Sequence, residues 1–154
     1  MIDSSVREPD GKRRAVANEA PWGQGMRYAR AIRVGDTIEV SGTTAVDSGG
    51  NIVSPGDVAG QVRACFLIIR RSLEDLDSCL EDIVRTRIFV TDVETWRIVG
   101  AVHDDILGHV APVSSLVGVA ALLHPELLVE IEATAIVGSA TASVTTAPSK
   151  KVLP

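Results

Sequence analysis

Apolar residues recur at spacings of three and four between Val58 and Leu76, and this pattern predicts the first helix. Val58, Val62, Cys65, Phe66, Ile69, Leu73 and Leu76 share one face, while Arg63, Arg70, Arg71, Glu74 and Asp75 fall mostly elsewhere. The turn Ser54-Pro55-Gly56-Asp57 offers Asp57 as its N-cap, and Asp77-Ser78 ends it. A second helix of about 94–107 follows from Trp96, Val99, Val102, Ile106 and Leu107, with Gly108 placed to stop it. Period-two runs predict strands. AIRV (31–34) and TIEVSG (37–42) flank Gly35-Asp36 as a hairpin, and in IVRTRIFV (83–90) Val84, Thr86, Ile88 and Val90 oppose Arg85, Arg87 and Phe89. SSLVGVA (114–120) and LLVEIEATAIVG (127–138) complete the set, separated by a His124-Pro125-Glu126 turn.

The order is therefore ββ-α-β-α-ββ, an α+β domain with a mixed sheet. Each helix has one apolar stripe to bury, so both helices belong on one face of that sheet. The other face is left bare, which predicts self-association. The segment 1–20, polar with charges of both signs, reads as a flexible N-terminal arm, 21–138 as the domain, and 139–154 as a disordered C-terminal tail.

Composition narrows the chemistry. At 154 residues and 45% hydrophobic, the chain suits one domain with a substantial core, built mainly from Val, Ile, Leu and Ala because aromatics are only 3%. A formal charge of −5 argues against a nucleic-acid partner, which needs a basic face. Cys65 and Cys79 lack the spacing of a disulfide framework or a zinc site, and His103, His109 and His124 are not spaced as ligands, so no metal is expected. With no apolar leader and no stretch of about 18 apolar residues, the expectation is a cytoplasmic protein with no membrane partner.

Three stretches carry a resemblance: GMRYARAIRVGDTIEVSGTTAVDSGGNIV, VAGQVRACFLIIRRSLEDLDSCLEDIVRTRIFVTDVETW and APVSSLVGVAALLHPELLVEIEATAI. Across roughly residues 22–137 the chain resembles the RidA/YjgF reactive-intermediate deaminase family. That resemblance implies a chorismate-mutase-like fold, a homotrimer with pockets between subunits, no metal or organic cofactor, and hydrolytic deamination of enamines and imines.

Carried over one position at a time, the family pocket places its tyrosine on Tyr28, its serine on Ser41 and its final-strand carboxylate on Glu130. The arginine that grips a substrate carboxylate falls on Ser114, a cysteine or threonine on Leu116, an acidic residue on Gly118 and a helix asparagine on Gly100. A neutral serine cannot reproduce the two charge-assisted bonds of a guanidinium, so an ordinary 2-imino acid loses its anchor and an atypical substrate is expected. Glu130 and Tyr28 are the candidate catalytic residues. Ser41, Ser114, Arg87 and Gly118 are candidates for substrate binding, Arg87 as a replacement cation unless it is taken by an ion pair, with Arg30 as the weaker substitute. The competing reading is a non-catalytic trimer that binds a small metabolite or a protein. Ribonuclease activity, sometimes attached to the family by name, fits poorly with an acidic chain lacking a His/Lys constellation.

Overall fold

The computed structural model describes residues 12–18 and 25–141. Six strands, β1 (Arg14–Ala17), β2 (Ala29–Val34), β3 (Thr37–Thr44), β4 (Ile83–Val90), β5 (Val113–Gly118) and β6 (Val129–Ile136), form one sheet in the order β1-β2-β3-β6-β4-β5. Only β4 and β5 run parallel; the other neighbours are antiparallel. Helices α1 (Val58–Glu74) and α2 (Trp96–Leu107) supply the connections on either side of β4.

The apolar stripe of α1 lies in the core as its spacing requires, with Val62, Cys65, Phe66, Ile69 and Leu73 all buried together with Ile38, Ile131, Ala133 and Ala135 of the sheet. Asp57 caps the helix by accepting from the Gly60 amide at 3.1 Å, a bond worth about 1 kcal/mol in typical helices. At the other end Asp77 takes a left-handed φ of 59°, so that the Ser78 amide turns back to the Leu73 carbonyl. Alternation along β6 sorts its residues cleanly. Val129, Ile131, Ala133 and Ala135 are buried on the helix side, whereas Glu130, Glu132 and Thr134 are half-buried on the open side.

The fully buried Gln61 does what no apolar pattern announces. Its amide nitrogen donates to the Glu126 carbonyl at 2.8 Å and its oxygen accepts from the Leu128 amide at 2.9 Å, pinning the entry to β6 against α1.

Three expectations need correction. Residues Arg14–Ala17, read as part of a flexible arm, form β1 and pair with β2; a short strand is held by backbone bonds and needs little apolar signal. Arg14 also reaches Asp77 at 2.5 Å. The tail expected from residue 139 begins instead with a helical turn, Ser139–Thr141, in which the Ala140 amide donates to Asp82 Oδ1. Residues 1–11, 19–20 and 142–154 of the arm and tail lie outside the described residues. In β4, a register shift between Ile83 and Arg85 puts Ile83 in the core, at 1% exposure, in place of Val84.

Candidate functional site

Glu130 projects from the open side of β6 opposite Thr44 of β3 and Phe89 of β4. Between Val40 and Thr43 the pairing of β3 with β6 slips, and the slip brings Gly42 under the Glu130 side chain. A Cβ at position 42 would overlap the Glu130 carboxylate, so only glycine leaves that carboxylate its place. Burial pushes the Glu130 carboxyl above its ordinary range, Glu132 adds to the rise, and Arg30 opposes it.

Arg30 is the cation at this site. Its guanidinium donates to the Gly42 carbonyl at 3.2 Å, to Thr43 Oγ1 at 2.9 Å and to Asn18 Oδ1 at 3.3 Å. It also stands close enough to Tyr28 and to Glu130 to feel the charge of both. Burial lowers its pKa, while Tyr28 and Glu130 pull it back. Ser41 directs its hydroxyl to the Arg30 carbonyl at 3.1 Å, fastening β3 to β2 at the slip. The structure thus gathers Tyr28, Ser41 and Glu130 around Arg30 and Gly42. The pattern missed Arg30 as the centre because bulges on both neighbouring strands, at Val16/Ala17 and Val40/Thr43, decide where its head goes.

The remaining candidates stand apart from Glu130. Arg87 pairs with Glu132 at 3.2 Å, both side chains partly exposed, the ion pair that the sequence offered as its alternative. Ser114 and Gly118 lie on β5 in register with Thr86 and Val90, whose side chains are buried beneath the helices, so they occupy the opposite side of the sheet from Glu130. The exposed Gly100 has open space where a side chain would stand, and Gly118 has only Val93 near it.

A cavity of about 330 Å³ opens between β1, the end of β3 and α1; Asn18, Arg30, Thr43, Thr44, Arg71 and Ser72 belong to its wall and Glu130 does not. Cys65 and Cys79 are free thiols, and burial raises the pKa of both, which disfavours thiolate chemistry. Among the described residues no three His, Cys, Asp or Glu side chains gather as metal ligands would, and no helix is long and apolar enough to cross a membrane.

Comparison with known proteins agrees with this fold. The family model described as Endoribonuclease L-PSP matches residues 19–137. The chain is 41% identical to Rv2704 of Mycobacterium tuberculosis, whose crystal structure is described as that of a member of the YjgF/YER057c/UK114 family. That match covers 81% of this chain and 99% of the other, with a TM-score of 0.73. The YjgF gene product of E. coli is 30% identical over 80% of this chain and 98% of its own, with a TM-score of 0.70. An uncharacterized protein of Streptomyces coelicolor, SCO2049, is 29% identical over 126 residues, 82% of this chain and 93% of that one.

Proposed function

Because the chain belongs to the Endoribonuclease L-PSP family, the group that includes YjgF, we propose that it is a small-molecule hydrolase acting on an enamine, an imine or a related reactive metabolite. The observation that supports this most is the Glu130 carboxylate, half-buried over Gly42 with Arg30 and Tyr28 beside it. Imine hydrolysis needs a base to align water on the carbon and an acid to protonate the departing nitrogen. A carboxylate whose proton affinity is raised by burial suits the first task. Tyr28, close to Arg30, supplies a hydroxyl for the second.

The open side of the sheet completes the reading. It carries Val113 and Val117 at 65% and 47% exposure with Ile136 at 41%, apolar area that self-association would cover. In a homotrimer the Ser114 and Gly118 edge of one subunit would face the Glu130 site of the next and enclose a pocket between them. With neutral Ser114 at the position of the carboxylate-gripping arginine, the substrate need not carry an α-carboxylate.

Incubation with 2-iminobutyrate or 2-aminoacrylate generated in situ tests the ordinary family reaction. Accelerated hydrolysis supports it; no acceleration at high enzyme concentration removes it and leaves only a different substrate. Sedimentation as a monomer at micromolar concentration would dismantle the interface pocket. One observation favours a second reading, a non-catalytic binder of small metabolites or a protein: Ser114 and Gly118 do not share a face with Glu130 within one chain.

A further inference from the structure

On the side of the sheet opposite Glu130 within one chain, three side chains stand in a hydrogen-bonded file from the rim of the sheet to the inside. Thr86 Oγ1 lies 2.9 Å from Ser114 Oγ and 3.0 Å from His103 Nε2. Ser114 is exposed on β5, Thr86 is fully buried on β4, and His103 is half-buried on α2. We propose that this file makes the Ser114 hydroxyl a nucleophile toward activated acyl or phosphoryl esters, a reaction distinct from the hydrolysis proposed at Glu130.

The geometry supplies the relay and the base for such chemistry. With 0% exposure, the Thr86 hydroxyl cannot trade its partners for water, so it couples Ser114 to His103 directly. The imidazole is oriented by the edge-on contact of its ring with Phe66 of α1, centroids 5.8 Å apart. Burial lowers the His103 pKa, opposed only by the neighbouring charge of Asp104, so at neutral pH the ring is uncharged and can accept a proton. Two arrangements of the file exist. With Nε2 protonated, the bonds run from His103 through Thr86 to Ser114; with Nε2 bare, they run outward to inward, and Ser114 donates to Thr86 while Thr86 donates to His103. The second is the reactive one. Among the described residues β5 is the last strand of the sheet, so Ser114 stands at its margin.

In the step, Ser114 Oγ forms a bond to the carbonyl carbon or phosphorus as its proton passes to Thr86 and the Thr86 proton passes to His103 Nε2. The leaving group departs with the bonding electron pair. His103 is then an imidazolium, and it returns the proton along the same file.

A fluorophosphonate probe tests this on the full-length chain, with fluoride as the leaving group and the adduct located by peptide mass spectrometry. The expected result is one adduct, on Ser114, forming faster as pH rises through the His103 pKa. Thr86→Val and His103→Gln should each slow labelling at least tenfold, while Thr86→Ser, which keeps a hydroxyl in the file, should retain most of the rate. No adduct on Ser114 overturns the proposal. So does a Thr86→Val protein labelled at the parent rate, or, if that variant does not fold, a folded His103→Gln protein that labels normally.

Discussion

The two polar clusters of this domain store protons in opposite ways. Around Glu130 the elements are charged: a half-buried carboxylate, a guanidinium held by Gly42, Thr43 and Asn18, and the second carboxylate of Glu132 nearby. Around Thr86 they are neutral, two hydroxyls and an imidazole in single file. Burial acts on both, raising the proton affinity of the acid and lowering that of the base. In each case the group that results is uncharged over a wider pH range. In the first cluster Arg30 opposes the effect of burial on Glu130, whereas the second has no guanidinium or carboxylate in its file.

Changing one member at a time separates the two designs. The largest effect is expected at Glu130→Gln, which should lower imine hydrolysis by about 100-fold or more, the usual scale for losing a general base. Its melting temperature at pH 7 should match or exceed that of the parent, because a carboxyl with a raised folded-state pKa destabilises the fold once it ionises. Loss of turnover with an unchanged melt would mark Glu130 as chemical; turnover that persists would favour the non-catalytic reading.

Gly42→Ala should come next. The added methyl displaces the Glu130 carboxylate, the tip of a flexible and half-buried side chain, so the fold should lose little stability while imine hydrolysis falls. A variant that hydrolyses the imine at the parent rate would mean that the reaction does not need the carboxylate held over position 42. The neutral cluster answers to acid instead. Burial holds the folded-state pKa of His103 below the ordinary histidine value of about 6.5, so stability should decline as pH falls through about 6.5 toward that lower value, where the unfolded chain takes up the proton first. His103→Gln should flatten this part of the stability profile. The smallest effect belongs to Arg87→Ala, where an exposed pair with Glu132 is worth about 0–1 kcal/mol. A large loss of stability or oligomer there would show that the pair is buried by a neighbouring subunit.

The helices and most strands were legible because their apolar residues keep strict periods. α1 follows from Val62, Phe66, Ile69 and Leu73, and β6 from Val129, Ile131, Ala133 and Ala135. The open sheet face was legible for the same reason, since two one-sided helices can cover only one side. Glu130 and Tyr28 came from the family resemblance, and Ser41 with them. Arg30 as the organising cation did not, because bulges interrupt the alternation on either side of it, and a bulge leaves no mark in a period of two. Nor did the link between Thr86 and His103, which depends on how α2 is laid across β4, or the clamp of Gln61, a polar residue at a buried helical position.

The ends of the sheet differ in how they would meet another chain. Lys12, Arg13 and Arg14 crowd the margin at β1 with positive charge, and a second molecule adding a strand there would bring the same charges against them. Removing everything up to Ala17 would strip that guard and present β2, with Ile32 and Val34, as a clean template for pairing. The short N-terminal strand thus covers the β2 edge, and versions cut back past Ala17 should aggregate more readily than the full chain.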